Sequence, residues 1–581
     1  MKWLLIILSL TIASCAAVIK ESKEGAKGAI DNMVAGELSS GLVNLVDAPV
    51  IGMFRGEPYI LMYNARGELI YRRGNEEQII SKDGPPNSNL THIVTYADAS
   101  GIYVFWRPKL AGKVEGVGEG GDKLIVFRAS YDGKTFGKTQ RLNDKGGAFM
   151  PRVTGNGKGD IYVAWVDERN GGGKYDIYMN ISHDSGRTWK EKDLRIDIGE
   201  PGSSASTDPT IVAEDDKVWV AWREGMSKEE PSNLYARFSS DRGEKWDEPV
   251  LIVKEEESST GLTLIKKGKA IILYGFDLQG LKLSYSEDGG RSWKVNKPEG
   301  MESVGEIRVL NTPEKAYLIT GIMPDGKKED IFIFASEDGI NFGKPIRLDT
   351  NTPYYFTSTW PEAAVDGMGN ILVAWHDFRN FRSNIYFNYS TDKGQTWQKQ
   401  DLIISEKGVR QQYWPKIAAD DKGGFYVLWV GYMDDMLKKS SLYMSTIDIH
   451  KISPAAQNVR GEKKLRERVS QFWGDRILSN WGGNYDLLDP YFRQRTSREY
   501  YIANQLKTIY YSFEIKDIKI TDNMASVTIK YTHEVPEFIS PQGKKLKVPK
   551  RDEEITEVWI WIDGDWFRVF KDVKGGSFVA Y

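Results

Sequence analysis

The chain has 581 residues, of which 40% are hydrophobic, 27% charged and 12% aromatic, and its formal net charge is -3. The near balance of 78 Lys and Arg against 81 Asp and Glu, with no long basic run, argues against nucleic acid as a partner. The 18 Trp, 29 Tyr and 57 Gly favour a mainly β protein, because aromatic residues are enriched in strands and glycines in turns.

The N-terminus is typical of a targeting segment. Lys2 precedes an apolar run from Trp3 to Ile12, which is shorter than the about 20 residues that a membrane-spanning helix needs. Small residues then lead into Cys15, the only cysteine, so no internal disulfide can form. This arrangement resembles the lipobox of bacterial lipoproteins, which implies removal of residues 1–14 and lipidation of Cys15. A plain signal peptide is the alternative. We therefore expect a lipid anchor in the bacterial cell envelope, at the outer membrane or cell surface, and a tether over residues 15–40.

Six short motifs recur through the middle of the chain. Four fit Ser-x-Asp-x-Gly-x-x-Trp, and two are one residue shorter and end in Phe. They start at Ser130, Ser182, Ser239, Ser286, Ser336 and Ser390, at intervals of 52, 57, 47, 50 and 54 residues. In such a turn the Asp side chain accepts hydrogen bonds from nearby amides and Gly supplies a positive φ. We therefore expect a structural role for the six aspartates: Asp132, Asp184, Asp241, Asp288, Asp338 and Asp392.

Each motif belongs to a unit of roughly 50 residues with four short strands, in which apolar and polar residues alternate. Such a repeat matches one blade of a β-propeller. The first and last units lack the motif, and it is left open whether one completes the other to close the ring. The predicted fold is mainly β, a seven- or eight-bladed propeller over residues 41–450. The units begin near Ala48, Asn89, Phe149, Thr207, Ser259, Gly305, Thr359 and Tyr413.

This repeat resembles the sialidase superfamily and other Asp-box (BNR-repeat) proteins, over roughly Gly41 to Ile449. The resemblance implies a propeller whose Asp boxes follow the third strand of each blade. Such relatives include sialidases, other glycosidases, assembly factors and sorting receptors. The fold alone therefore does not assign an activity.

Blade topology places the candidate ligand-binding residues on the face opposite the Asp boxes, where the strand 2–3 loops and the starts of the inner strands meet. Two units carry Trp-x-Asp-x-Arg at the end of strand 2. This motif is compatible with an Asp–Arg pair that orders a loop and with recognition of a sugar or peptide. Aromatic rings beside arginines and carboxylates suit sugars, and a solvated channel rim with ordinary charge pairs is the alternative. The ligand-binding candidates are Asp167, Arg169, Trp360, Glu362, Asp377, Arg379 and Trp414, with Asp208, Glu306 and Lys416 close by in the repeat.

Sialidases hold the substrate carboxylate with three arginines, because a planar guanidinium can bind a carboxylate through two hydrogen bonds, and they use a Tyr nucleophile. The Arg-Ile-Pro signature expected in the first unit is missing, since Arg55 is followed by Gly56. The catalytic residues are therefore unassigned. The candidates for such chemistry are Arg152, Arg308, Arg410, Tyr413, Glu362 and Asp377.

No cofactor and no metal site is expected. The five histidines do not pair at ligand spacing, and the glycine-rich segment at residues 116–121 is not followed by a helical pattern.

A different pattern follows a linker at residues 451–460. Apolar residues between Leu465 and Ile477 recur every three or four positions, which predicts an amphipathic helix. A second short helix and four strands come next, the last two joined through Asp563-Gly564. This order resembles NTF2-like domains and implies a small α+β domain with a pocket over residues 461–581. We expect core packing and capping, without catalysis, from the polar and aromatic residues that could face it: Asp486, Asp489, Tyr491, Tyr531 and Trp561.

The leading hypothesis is a non-enzymatic surface lipoprotein that binds a glycan or protein through the propeller face opposite the Asp boxes. The main alternative is an exo-acting glycoside hydrolase of the sialidase type. An envelope assembly or scaffold factor is the third.

Overall fold

The computed structural model describes most of the chain. The described residues are 34–37, 49–64, 66–82, 93–108, 114, 117, 123–171, 173–225, 232–254, 260–277, 279–323, 329–349, 357–379, 383–404, 411–432, 440–452, 461–505, 508–521, 524–539, 545–562 and 565–570. Cys15 and Arg410 lie outside these ranges. No helix within them is long and apolar enough to cross a membrane.

Within the described residues, thirty-two strands precede the linker, and they form eight four-stranded antiparallel sheets. The strands of the first half are β1 (Val34–Glu37), then sheet 1 with β2 (Val50–Phe54), β3 (Glu57–Tyr63), β4 (Leu69–Arg73) and β5 (Glu76–Ser81). Sheet 2 has β6 (Val94–Asp98), β7 (Gly101–Trp106), β8 (Val126–Ser130) and β9 (Gln140–Arg141). Sheet 3 has β10 (Ala148–Gly155), β11 (Ile161–Asp167), β12 (Asp176–Ser182) and β13 (Leu194–Arg195). Sheet 4 has β14 (Ser206–Glu214), β15 (Lys217–Glu224), β16 (Asn233–Ser239) and β17 (Val250–Lys254).

The second half repeats this order. Sheet 5 has β18 (Thr260–Lys267), β19 (Ala270–Asp277), β20 (Gly280–Ser286) and β21 (Lys294–Asn296). Sheet 6 has β22 (Val304–Asn311), β23 (Ala316–Ile322), β24 (Asp330–Ser336) and β25 (Ile346–Arg347). Sheet 7 has β26 (Ser358–Val365), β27 (Ile371–Asp377), β28 (Asn384–Ser390) and β29 (Leu402–Ile403). Sheet 8 has β30 (Gln411–Ala419), β31 (Gly424–Tyr432) and β32 (Ser440–Asp448), and β1 is its fourth strand.

The first strands of the eight sheets contact one another in sequence order, from β2 to β6 and onward to β30, and β30 contacts β2 again. This cyclic order is that of a β-propeller-type arrangement with the first strands innermost. Apolar clusters fill the space between neighbouring sheets; Ile319 and Ile333 of sheet 6, for example, pack with Trp375 of sheet 7. The predicted mainly β, propeller-type architecture is thereby confirmed.

Sheet 8 is completed by the N-terminal strand. β1 pairs antiparallel with β32, with Val34 opposite Thr446 and Glu37 opposite Tyr443. This strand lies inside the segment that the sequence predicted to be a tether over residues 15–40. The four residues VAGE are too short to show a recognisable alternating pattern, which is why the sequence reasoning missed this strand.

The Asp boxes occupy equivalent corners, each after the third strand of its sheet. In the box at Ser182, the serine Oγ accepts the Gly186 N–H at 2.8 Å, and Asp184 accepts the Thr188 N–H at 2.8 Å. In the box of sheet 2, the backbone N–H groups of Thr135 and Lys134 hold the pKa of Asp132 well below its usual range. The Asp carboxylates therefore bond within their own turns.

A second-strand side chain of one sheet holds the Asp-box turn of the next. Tyr274 donates to the carbonyl oxygen of Gly339 at 2.6 Å, and Tyr317 donates to that of Lys393 at 2.9 Å. The indole N–H of Trp219 donates to the carbonyl oxygen of Gly289 at 2.9 Å. The repeat is thus a contact between neighbouring sheets as well as a turn.

The C-terminal domain has four helices and one four-stranded antiparallel sheet. The helices are α1 (Glu462–Ile477), α2 (Trp481–Asp486), α3 (Pro490–Arg495) and α4 (Arg498–Ala503). The sheet follows the order β33 (Ile509–Thr521), β34 (Met524–Ile539), β35 (Lys545–Ile562) and β36 (Asp565–Arg568). Leu465, Phe472 and Trp473 of α1 pack on Val527 and Trp559 of the sheet. Asp489 caps α3 by accepting the Phe492 N–H at 2.8 Å, as expected of a capping residue.

Candidate functional site

The inner strands of six sheets begin with a bulge on the face opposite the Asp boxes. In sheets 3 to 8 the pairing with the second strand shifts register after the first residues. Four residues other than glycine at these bulges adopt a positive φ: Met150 (52°), Asp208 (50°), Trp360 (55°) and Trp414 (54°). Residues that have a side chain rarely adopt this backbone conformation, so contacts with the surrounding structure must stabilise it. Such backbone strain often marks a functional position.

Two of these strained residues belong to a continuous group of aromatic side chains. The Trp360 and His376 rings stack with centroids 6.1 Å apart and planes at 14°. The ring centroids of His376 and Tyr413 lie 5.3 Å apart, and those of Tyr413 and Trp414 lie 5.6 Å apart. We call Trp360, His376, Tyr413 and Trp414 the aromatic rim. The Trp360 side chain is 48% exposed, so one large aromatic surface faces solvent.

His376 supports the aromatic rim without carrying charge. It is 3% exposed, and burial lowers its pKa to about 3, so the ring is neutral at physiological pH. Its Nε2 accepts a hydrogen bond from the Trp414 N–H, which requires that nitrogen to be unprotonated. The ring thereby connects the bulges of sheets 7 and 8.

Charged side chains lie at the base of the same bulges. Arg308 Nη2 lies 3.1 Å from Glu362 Oε1 and 2.8 Å from Glu306 Oε1. Lys416 also binds Glu362. Burial would raise the pKa of Glu362, but the adjacent Lys416 and Arg308 outweigh it and lower the pKa below its usual range. Glu362 is therefore an ionised group shared by two cations.

A second carboxyl group, that of Glu329, has a raised pKa, in contrast to Glu362. It lies directly before β24, where Gly305 and Gly321 leave room for it: a Cβ added to Gly321 would lie 1.7 Å from Glu329 Oε1, and one added to Gly305 would lie 2.8 Å from it. Burial first, and then the charge of Glu306, raise its pKa to about 7, although a hydrogen bond with Thr359 opposes the shift. Glu329 was missed from the sequence because it lies outside every motif.

The Trp-x-Asp-x-Arg motifs are buried and bonded within the protein. Asp167 accepts the Trp165 indole N–H at 2.8 Å, and Arg169 lies 2.7 Å from Asp167, Asp144 and Asp193. These contacts bury the Asp167 and Arg169 side chains, whereas the flanking Glu168 and Asn170 are exposed. The motif orders the strand 2 end there.

The second copy repeats this arrangement. The Arg379 side chain is 2% exposed and lies 2.5 Å from both Asp377 and Asp401. Contact of Asp167, Arg169, Asp377 and Arg379 with a ligand stays a prediction, as does a catalytic role for Asp377, while the burial of these side chains favours the structural interpretation. Ordering of the strand ends, the other interpretation of the motif, accounts for them.

The described arginines of the predicted carboxylate clamp have separate partners. Arg152 belongs to sheet 3, where burial lowers its pKa and Asp208 is its charged neighbour; Asp208 is also 2.9 Å from Arg223. Arg308 belongs to sheet 6, where it binds Glu306 and Glu362. Arg410, the third candidate, lies outside the described residues. Within the described ranges, no group of three or more His, Cys, Asp or Glu residues is placed to hold a metal ion.

Comparison with known proteins agrees with the repeat. Residues 111–373 match the family model described as a BNR repeat-like domain. No curated protein matches the chain.

Solved structures that resemble the chain include glycosidases. An α-L-arabinofuranosidase from Fusarium graminearum is 14% identical, with a TM-score of 0.36 over 62% of this chain and 94% of that chain. The NanB sialidase from Streptococcus pneumoniae is 10% identical, with a TM-score of 0.33 over 73% of this chain and 95% of that chain. The Trypanosoma rangeli sialidase is 13% identical, with a TM-score of 0.30 over 70% of each. TM-scores of this size do not by themselves establish a shared fold.

Proposed function

We propose that this protein is a lipid-anchored component of the bacterial cell envelope whose eight-bladed propeller binds a glycan at the aromatic rim. The observation that carries the proposal is Trp360, an exposed indole held in a strained backbone conformation and stacked on a buried, neutral His376. Strain and exposure both oppose folding stability, and binding would explain why they are retained.

The surroundings of the indole favour a sugar. A sugar ring has an apolar face, which an aromatic ring covers, and hydroxyl edges, which need hydrogen-bonding partners. Lys416, Glu362 and Arg308 lie at the inner-strand starts of the same and neighbouring sheets. Together with Glu306, which lies 2.8 Å from Arg308, they form two cations paired with two carboxylates, and this balance favours a neutral glycan over one bearing a carboxylate.

The proposal is tested by glycan-array binding of the purified full-length chain. Trp360→Ala is expected to weaken binding of neutral glycans by about tenfold or more, given the about 1–3 kcal/mol that a well-buried aromatic contact contributes. Met368→Ala is the matched control. Met368 is also 48% exposed, but it lies in the turn between β26 and β27, on the Asp-box face of the propeller. Equal binding by Trp360→Ala and the unsubstituted chain would reject the aromatic rim as the site, and silence on every glycan would favour a protein scaffold.

One observation favours the glycosidase alternative. Glu329 has a raised pKa and Glu362 a lowered one, and the two are connected through Thr359 and the strand β26. Carboxyl groups whose pKa values are shifted apart are the pattern of a general acid and an ionised partner in glycoside hydrolysis. Here Glu329 would protonate the leaving oxygen.

A panel of aryl glycosides tests this alternative. If hydrolysis occurs, Glu329→Gln should abolish turnover while glycan binding persists, and the rate of the unsubstituted chain should fall as the pH rises above about 7. Absence of turnover on the whole panel would leave the binding function and reject the hydrolytic one.

The anchor is a separate element of the proposal and is supported by the residues around Cys15 alone. Cys15→Ser should release the protein from the membrane fraction, because the variant lacks the cysteine that would carry the acyl chains. Unchanged membrane association would count against lipidation. For the C-terminal domain we propose an NTF2-like fold that serves as a second binding module; its helices followed by a four-stranded antiparallel sheet support this assignment.

A further inference from the structure

The C-terminal domain holds a guanidinium group that no described carboxylate neutralises. Arg476 lies in the last turn of α1. Its Cζ lies 4.8 Å from the ring centroid of Phe472, 5.0 Å from that of Trp473 and 5.4 Å from that of Tyr510. Among the described residues, no Asp or Glu lies within salt-bridge distance of it. A cation enclosed by three aromatic rings is held there by ring electrostatics and packing.

Other arginines of this domain form salt bridges with carboxylates. On the same helix, Arg466 pairs with Glu462 at 2.6 Å, and Arg468 binds both carboxylate oxygens of Asp565. On the sheet, Arg568 lies 2.7 Å from Glu557. Among the described arginines of this domain, Arg493 on α3 also lacks a carboxylate partner and lies over the Phe567 ring, so an unpaired guanidinium is uncommon here without being confined to Arg476.

Asp475, next to Arg476 on α1, accepts a hydrogen bond from Asn480 through Oδ1, and its Oδ2 has no partner among the described residues. The acids on the neighbouring strand β35 are already occupied. Glu557 accepts hydrogen bonds from Arg568 and from the indoles of Trp473 and Trp559, the latter two at 3.3 Å. Glu553 accepts the Tyr531 hydroxyl at 2.9 Å and also binds Arg551. A small side-chain movement would not supply Arg476 with a free carboxylate from the sheet.

Polar and aromatic groups surround the guanidinium on one side. Its Nε is buried and has no hydrogen-bond partner in the described structure. The Tyr501 hydroxyl, which donates to Asn484 at 2.8 Å, is within reach of Arg476 as an acceptor. The Tyr510 and Trp481 rings lie 6.4 Å apart, and both are only half-buried, so each is partly exposed to solvent.

We propose that Arg476 is the centre of a binding site for a small organic carboxylate with an apolar body. The carboxylate would neutralise the guanidinium, and a planar guanidinium binds it through two parallel hydrogen bonds. The indole and phenol rings would cover the apolar body. Partial exclusion of water by these rings strengthens the charge interaction relative to the same pair at an open surface.

Phenylacetate and phenylacetamide are suitable probes, because they share the ring and differ in charge. In ligand-observed NMR titrations of the full-length chain, phenylacetate should bind at least about tenfold more tightly than the amide, as expected for a charge-assisted contact. Arg476→Gln should remove this preference. Arg466→Gln, on the same helix but paired with Glu462, should retain it.

Arg476→Lys covers the case in which the glutamine variant does not fold. It keeps the positive charge but loses the planar fork, so the preference for phenylacetate should shrink without vanishing. A wild-type chain that binds neither probe, or that binds both equally, overturns the proposal. So does a folded Arg476→Gln variant that still prefers the carboxylate.

Discussion

The two faces of the propeller use the same repeat in opposite ways. On the Asp-box face the side chains recur with the backbone: the turns are bonded within themselves, and those of sheets 5, 6 and 7 also accept a hydrogen bond from an aromatic side chain of the preceding sheet. On the other face the bulge recurs, but the residue at its strained position changes from Met150 and Asp208 to Gly261, Trp360 and Trp414. The side chains that recur in every Asp box stabilise the fold. The side chain at the bulge differs from sheet to sheet although the backbone conformation recurs, so this position is available for function.

The same contrast exists within the second face. Arg379 is buried between two carboxylates, whereas Trp360, in the same sheet, is 48% exposed. Four substitutions test whether these positions belong to the fold or to the site, and their expected effects decrease in order.

The largest effect is expected from Arg379→Met. It would leave Asp377 and Asp401 buried without their cation, and removing one partner of a buried pair costs about 3–5 kcal/mol. Urea denaturation measures this loss. Arg291→Met, in an exposed Asp-box turn, is the control and should change stability by less than about 0.5 kcal/mol. An equally small loss for Arg379→Met would mean that the buried pair is not structural.

Glu329→Gln should change how stability depends on pH. The pKa of Glu329 is raised to about 7 in the folded chain, above its unfolded value of about 4.3. Its stabilising contribution is therefore fully present below that unfolded value and is lost as the pH rises through about 7, up to about 4 kcal/mol in total.

Urea midpoints at pH 5 and pH 8 measure the difference. Glutamine stays neutral, so the variant should lose less stability than the unsubstituted chain between these two values. The comparison isolates Glu329, because Asp193 and Asp197, whose pKa values burial also raises to about 7, are present in both chains. Parallel pH profiles would show that Glu329 is ionised throughout.

A smaller effect is expected from Tyr274→Phe on the Asp-box face. The change removes the hydroxyl that donates to the Gly339 carbonyl and leaves the ring in place. The loss should be about 1 kcal/mol, typical of a buried hydrogen bond. Tyr285→Phe, in the same sheet but with a half-buried ring, is the control for removing a hydroxyl. If both variants lose the same amount, the contact between sheets contributes nothing of its own.

Trp360→Gly should have the smallest effect on stability and the opposite sign. It copies what sheet 5 already has at Gly261, and relief of the positive φ should offset the lost packing to within about 1 kcal/mol. Glycan binding should fall while the thermal midpoint stays the same or rises. A large loss of stability would place Trp360 in the fold rather than in the site.

The repeat and its consequences could be predicted from the sequence because they depend on local chemistry. Asp, Gly and an aromatic residue at fixed spacing define a turn wherever they occur, and even spacing of six turns implies equivalent sheets. The exposed Trp360 and the charged Glu362 were also found, since both lie at the start of a recognisable strand.

The remaining features depend on contacts between distant segments. Nothing near Asp167 or Asp377 shows that each is enclosed by partners such as Asp193 and Asp401, which lie more than twenty residues further along the chain. Glu329 acquires its raised pKa only when Gly305 and Gly321 meet it in space. β1 is a strand only because β32 offers it an edge.

That last pairing has a mechanical consequence for a protein tethered through Cys15. Only nineteen peptide units, from position 15 to position 34, separate the proposed anchor from the first strand. A fully extended segment of this length spans about 65 Å at most. The propeller would remain close to the bilayer. If Cys15 is lipidated as proposed, tension on the anchor would act first on the hydrogen bonds between β1 and β32, at the edge of sheet 8.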